Sequence, residues 1–211
     1  MAEKRKTSRI KICGITSVDD ALNAAELGVD AIGLVFYAPS PRAISIATAR
    51  EVVRAVGPFV TTVGLFVNAD KHAIENVLQQ VPLHVLQFHG DETALFCKQF
   101  HRPWIKALRM KPGVDMNNAV HDYVDADAVL LDSYKDGVPG GTGERFAWSE
   151  APKNTRVPVI VAGGLNSGNV AEAINMMNPY AVDVSGGVES EPGKKDRKKM
   201  KSFVEAVRQC Q

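Results

Sequence analysis

Short β-branched runs alternate with amphipathic stretches along the whole chain. Arg9–Cys13 alternates and stops at Gly14, as a first strand would. Val18–Leu27 has the spacing of a helix, with Thr16 or Ser17 as N-cap and Gly28 as its stop. Ala31–Phe36 reads as the second strand, and a proline-bearing loop, Tyr37–Ala43, follows it. Ser45 caps a helix running to about Val56. The third unit is Thr61–Val67 with Asp70–Gln80, and the fourth is Val85–His89 with Asp91–Phe100. Trp104–Leu108 is a fifth strand, with a weaker helix near Val114–Tyr123. Ala128–Asp132 is the sixth, followed by the longest irregular loop, Ser133–Phe146, with four glycines between Gly137 and Gly143. Val157–Val161 and Ala181–Val184 are the seventh and eighth strands, with a helix from Val170 between them. A helix from about Asp196 to Arg208 closes the chain.

Eight strand-then-helix units at about 25-residue spacing mean parallel strands joined by crossover helices. An open doubly wound sheet would carry its glycine fingerprint after the first strand. Here that position reads Cys13-Gly14-Ile15-Thr16, and the phosphate-like turns come last. The expected fold is therefore α/β, a single-domain (β/α)8 TIM barrel over residues 1–211 with a polar tail at 1–8. No linker or shift in composition divides the chain.

The two last strands end in the same device. Ala162-Gly163-Gly164 follows the seventh and Ser185-Gly186-Gly187 the eighth. Glycines there let backbone N–H groups approach a ligand closely, and free N–H groups at a helix start suit an anion. In barrels of this kind the phosphate site lies in the loops after strands seven and eight. The alternative is a pair of ordinary tight turns.

Composition narrows the field. With 45% hydrophobic and 23% charged residues and a net charge of +1, there is no global field to recruit nucleic acid or an anionic membrane. No apolar run approaches the roughly 20 residues of a membrane span. Cys13, Cys97 and Cys210 form neither a closed disulfide set nor a metal motif, which fits a reducing, cytoplasmic setting. The polar segment Met1–Arg9 is read as neither a secretory signal nor a transit peptide.

Reactive groups in such barrels sit at the C-terminal ends of strands. Cys13 ends the first; if Ile10 and Ile12 face the helices, Lys11 and Cys13 point inward. A thiol beside a lysine can have a depressed pKa and act as base or nucleophile, whereas most free cysteines are small buried hydrophobes. Asp132 continues a buried apolar run, which suits a catalytic acid, or else it caps the next turn. A thiol and an acid facing each other across a barrel mouth make an acid/base pair. Gln87 and His89 share a face of the fourth strand; His89 would orient substrate or bond a loop backbone. Lys106 would be a Schiff-base lysine or, more simply, a core charge paired with an acid such as Asp183. Arg42, in the second loop, would grip a carboxylate bidentately or lie solvated. The basic run Lys194, Lys195, Arg197, Lys198, Lys199 and Lys201 reads as a solvated helix face.

Together these motifs resemble the phosphoribosylanthranilate isomerase family of tryptophan biosynthesis. The residues carrying the resemblance are Lys11-Ile12-Cys13-Gly14-Ile15-Thr16, Phe36-Tyr37 with Ser40-Pro41-Arg42, Val63-Gly64-Leu65-Phe66-Val67-Asn68, Gln87-Phe88-His89-Gly90 and Leu130-Leu131-Asp132. Gly140-Gly141-Thr142-Gly143, Ala162-Gly163-Gly164-Leu165-Asn166, Val182 through Glu189 and Pro192-Gly193-Lys194-Lys195-Asp196 extend it to nearly the whole chain. The family commonly reads Ser-Ser-Gly where this chain has Ser185-Gly186-Gly187, a lost hydroxyl that leaves the backbone donors.

The resemblance implies Cys13 as general base, Asp132 as general acid and Arg42 as the anthranilate-binding arginine. Phosphate would sit on backbone N–H groups near Gly141, Gly164 and Gly187. The full expected substrate-binding set is Arg42, Gln87, His89, Gly141, Gly163, Gly164, Asp183, Ser185, Gly186 and Gly187. The partner implied is a small phosphosugar, N-(5-phosphoribosyl)anthranilate, with no nucleic acid, no membrane and a monomer or homodimer. No metal or other cofactor is expected. Two other readings stay open: the related histidine-pathway Amadori isomerase, which uses two aspartates, and a non-catalytic phospho-ligand-binding barrel. The loop Ser133–Phe146 is long and glycine-rich enough to serve as a lid.

Overall fold

The structure is a computed structural model and describes residues 7–110, 114–133, 148, 151–152 and 155–210. Eight parallel strands close a barrel in sequence order: β1 (Arg9–Cys13), β2 (Ala31–Val35), β3 (Thr61–Phe66), β4 (Val85–Phe88), β5 (Trp104–Met110), β6 (Ala128–Ser133), β7 (Val159–Val161) and β8 (Ala181–Val184). β8 pairs with β1 in the register Lys11↔Asp183, which shuts the ring. The expected barrel architecture is thus observed. The connection after β6 beyond Ser133, with Gly141 and most of the possible lid, lies outside the described residues.

Strand alternation sorts the side chains into two cores. Val63, Ile105, Ala107, Leu130, Ile160 and Ala181 fill the barrel interior. Ile10, Ile12, Ile32, Leu34, Phe66, Leu86 and Phe88 point the other way, into the layer between sheet and helices. Each such fully buried side chain contributes roughly 1.5–3 kcal/mol relative to exposure. The described helices are α1 (Val18–Glu26), α2 (Ile46–Val56), α3 (Lys71–Gln80), α4 (Ala94–Cys97), α5 (Met116–His121), α6 (Val170–Met177) and α7 (Arg197–Arg208). All but α6 begin with a side-chain cap, from Ser17, Ser45, Asp70, Thr93, Asp115 and Asp196 respectively. Each cap satisfies N–H groups that a first helical turn leaves without partners.

Several boundaries differ from the pattern. The ladder of β7 begins only at Val159, because Pro158 has no N–H and offers just its carbonyl, to Val129 N. β5 runs two residues longer, pairing Arg109 with Asp132 and Met110 with Ser133. The fourth helix shrinks to one turn plus a 3-10 turn, Lys98–Phe100. After β8 comes a 3-10 turn, Gly186–Val188, and then a small antiparallel hairpin of β9 (Glu189–Glu191) and β10 (Lys194–Lys195). The second glycine pair therefore opens a single tight turn rather than a helix.

Candidate active site

The C-terminal ends of the strands surround a cavity of about 560 Å³. Cys13, Arg42, Gln87, His89, Asp132, Asp183, Ser185 and the glycine pairs Gly163-Gly164 and Gly186-Gly187 all line it. Every expected site residue among the described ones is thus brought to one place. The loop after β2 delivers Arg42, and the C-terminal ends of β1, β4, β6, β7 and β8, with the turns that follow β7 and β8, deliver the rest.

On β1 the alternation places Cys13 inward, with Val35 and Leu65 as neighbours. Gly33 of β2 makes the room: a Cβ there would stand 2.6 Å from Cys13 Sγ and 3.1 Å from Lys11 Nζ. Lys11 donates to both carboxylate oxygens of Asp183 at 3.0 Å. Burial disfavours the Lys11 ammonium, but Asp183 and the neighbouring Cys13 outweigh it and hold Lys11 above its usual value. The thiol goes the other way from the sequence expectation. Burial pushes Cys13 up, and the pull from Lys11 only partly offsets it, because Lys11 is already committed to Asp183, whose own charge opposes a thiolate.

A second chain of polar groups leads to Asp132. His89 Nε2 lies 3.1 Å from Asp132 Oδ2, and His89 Nδ1 lies 3.0 Å from Gln87 Nε2. Asp132 Oδ1 accepts from Ser133 N at 2.9 Å. Hydrogen bonding therefore takes His89 to other side chains, not to a loop backbone through its ring. With Gln87 donating to Nδ1, the imidazole presents Nε2–H to the Asp132 carboxylate, and Gln87 Oε1 is buried without a partner. Turning the amide over sets Oε1 against an Nδ1–H, and Nε2 then accepts a hydrogen bond from the protonated carboxyl of Asp132. The triad thus has two self-consistent arrangements, one for each protonation state of the acid.

At the far side, loop glycines create close backbone approach. A Cβ on Gly187 would lie 1.9 Å from Leu165 O, and one on Gly163 would lie 2.4 Å from Ser133 N at φ +79°. The paired glycines therefore knit the end of β6 to the loop after β7, and the loops after β7 and β8 to each other, with Gly164 and Gly186 on the cavity wall beside them. Lys195 lies here too. It was expected on a solvated helix face, but it sits on β10, buried, donating to Glu189 Oε1 at 2.7 Å and to Ser185 O at 3.3 Å. Arg42 is not solvated either: its Nε and Nη2 donate to the two oxygens of Glu189, each at 2.8 Å. Glu189 is a member of this site that the sequence reading did not single out; it entered only as the last residue of the Val182–Glu189 stretch, and its partner Arg42 lies 147 residues away.

Lys106 requires a further correction. Its neighbours Ile105 and Ala107 point into the barrel, so Lys106 faces outward. It pairs with Glu92 at 2.9 Å and donates to Gly90 O at 2.6 Å, not to Asp183. Glu92 also accepts from Asn68 N and Gly90 N, so this cluster clamps two loops under the cavity rim. Among the described residues no group of three or more His, Cys, Asp or Glu side chains could hold a metal ion. No described helix is long and apolar enough to cross a membrane.

A (β/α)8 barrel whose strand ends present a thiol, an acid and a glycine-lined pocket is the architecture of a barrel enzyme. Residues 10–206 match the family model described as N-(5'phosphoribosyl)anthranilate (PRA) isomerase. The chain is 57% identical over 202 residues to the N-(5'-phosphoribosyl)anthranilate isomerase of Pseudomonas putida, covering 96% of this chain and 98% of that one. The Pseudomonas paraeruginosa protein of the same name is 59% identical over 200 residues, 95% of each chain. Phosphoribosyl anthranilate isomerase from Thermotoga maritima superposes with a TM-score of 0.88 at 40% identity, over 96% of this chain and 99% of that one. Another solved structure, of the isomerase in complex with reduced 1-(O-carboxyphenylamino)-1-deoxyribulose 5-phosphate, has a TM-score of 0.81 at 36% identity, over 96% and 99% of the two chains. The chain belongs to the phosphoribosylanthranilate isomerase family of tryptophan biosynthesis, and it is an isomerase.

Proposed function

We propose that the protein converts N-(5-phosphoribosyl)anthranilate to 1-(2-carboxyphenylamino)-1-deoxyribulose 5-phosphate by an Amadori rearrangement, with Asp132 as general acid and Cys13 as general base. The observation that carries the reading is that Cys13, from β1, and Asp132, from β6, line one cavity that also holds both glycine turns. Asp132, protonated, donates to the ribose ring oxygen, and the ring opens to a Schiff base. Cys13, as thiolate, removes the proton at C2 to give an enolamine, which tautomerises to the ketone product. His89 is placed to hold the acid's carboxyl and, with Gln87, to accommodate both of its proton states.

Substrate phosphate would rest on backbone N–H groups of the loops bearing Gly163-Gly164 and Gly186-Gly187, and the anthranilate carboxylate on Arg42. Lys11 is the largest influence favouring the anion at Cys13, although burial still holds the thiol above its ordinary value. Asp183 holds Lys11 there, as the second half of a doubly bonded pair. We place the enzyme in the cytoplasm, where its free thiols would stay reduced.

The test is incubation with freshly generated phosphoribosylanthranilate, following the loss of anthranilate-type fluorescence and identifying the ketose product by mass and retention. Turnover to that product supports the reading. If the well-folded protein turned over only the histidine-pathway aminoaldose, the substrate assignment would be wrong.

A further inference from the structure

The hairpin β9–β10 is built to bring one carboxylate to Arg42. Its turn residue Gly193 has φ +86°, and a Cβ there would strike Pro41 O at 2.6 Å, so the hairpin packs against the residue preceding Arg42. Thr16 Oγ1 donates to Gly193 O at 2.6 Å, and Lys195 N donates to Asp20 Oδ2 at 3.1 Å, fixing the hairpin to the first loop and helix. Gly14 leaves the channel for the arginine shaft, since a Cβ there would meet Arg42 Cδ at 2.6 Å. Lys199 grips the hairpin from behind, through Glu189 O at 2.6 Å. The result is a Glu189 carboxylate, side chain 5% exposed, seated on the Nε and Nη2 of Arg42 and braced by Lys195.

A guanidinium has five N–H groups. Glu189 takes one on Nε and one on Nη2, which leaves the Nη1/Nη2 edge, a second bidentate fork, on a side chain that lines the cavity. The charges of Arg42, Lys195 and Glu189 sum to one positive charge, matched to one incoming carboxylate. We propose that Glu189 is a positioning residue for Arg42: it stays on the Nε edge throughout turnover and presents the other edge as a preformed carboxylate receptor. The inference rests on the reading of Arg42 as the anthranilate anchor. Because the guanidinium is oriented before substrate arrives, little rotamer freedom is lost on binding. Lys195 is a brace in this arrangement and does not touch substrate.

The test is a double-mutant cycle on the full chain with phosphoribosylanthranilate as substrate, using Glu189→Gln, Arg42→Ala and both together. Glu189→Gln should raise KM roughly tenfold or more with kcat nearly unchanged, and should add little once Arg42 is alanine. An unchanged or lower KM in folded Glu189→Gln overturns the proposal, because loss of a purely electrostatic competitor would strengthen anion binding. An equal KM penalty in the Arg42→Ala background also overturns it. If Arg42→Ala itself leaves KM unchanged, the anchor reading fails instead. A second measurement needs only the wild-type chain. The Nε–H resonance of Arg42, assigned by its loss in Arg42→Lys, should be protected from exchange in the free enzyme and remain so with reduced 1-(O-carboxyphenylamino)-1-deoxyribulose 5-phosphate bound. Loss of that protection on binding would show that Glu189 lets go, contrary to the proposal.

Discussion

Replacing Asp183 by asparagine should cost far more stability than its one-atom change suggests. Lys11 is 3% exposed and Asp183 7% exposed, and the ammonium is bonded to both carboxylate oxygens at 3.0 Å. An asparagine can still accept one hydrogen bond from Lys11 but cannot balance its charge. Removing one partner of a buried pair costs about 3–5 kcal/mol, because the other charge is left in a low-dielectric interior. The retained hydrogen bond puts Asp183→Asn near the lower end, about 3 kcal/mol, or a fall of roughly 6–12 °C in Tm for a chain of this size. The double change Lys11→Met with Asp183→Leu removes both charges together and should recover much of the loss, since apolar replacement of a whole pair is often neutral or better. Urea unfolding followed by tryptophan fluorescence at pH 7 reads the difference as a shift in midpoint at constant slope. If Asp183→Asn lost less than about 1 kcal/mol, or the double variant lost the sum of the two singles, the pair would not be the coupled unit its geometry indicates.

Three other outcomes follow from the same contacts. In thiol labelling at neutral pH, Cys210 should react first and Cys13 and Cys97 slowly, since burial raises Cys13 and pushes Cys97 up to about 12; peptide mass spectrometry gives the order, and rapid Cys13 modification would contradict it. Gly187→Ala should force the loops after β7 and β8 apart, because its Cβ would sit 1.9 Å from Leu165 O; a loss of about 1–3 kcal/mol in stability is expected, with a raised KM, and a silent substitution would refute the close packing. Acid stability should depend on Glu189. Burial works against its charge, but Arg42 and Lys195 together hold the carboxyl below its ordinary 4.5. A depressed carboxyl contributes stability above its unfolded value and loses it as pH falls through the folded one. The Tm gap between wild type and Glu189→Gln should therefore be widest near neutrality and close below pH 4.5, and a gap constant with pH would contradict this.

The parts of this site that were legible in the sequence are those set by local periodicity. Ile10 and Ile12 fixed the inward face of β1 and so exposed Cys13 and Lys11. Asp132 was visible because an acid rarely follows Leu130-Leu131 without purpose. The same parity, had it been applied to Ile105 and Ala107, would have turned Lys106 outward. The Arg42–Glu189 pair was not visible, because its members are 147 residues apart and meet only once the ring closes through β8 and β1. Lys195 was hidden for a related reason. In a run of basic residues its burial depends on the hairpin, which interrupts what reads as one polar stretch before α7. Tertiary partners decide which charges in such a run are solvated.

The most direct test of the acid/base assignment compares Cys13→Ala and Asp132→Asn with wild type on freshly generated phosphoribosylanthranilate, with binding of reduced 1-(O-carboxyphenylamino)-1-deoxyribulose 5-phosphate measured in parallel. Each substitution should lower kcat by about 10²–10⁴-fold, the scale of a lost general acid or base, while binding of the product analogue persists. Turnover near the wild-type rate in either folded variant would contradict the assignment of that residue and leave the cavity with a different chemistry.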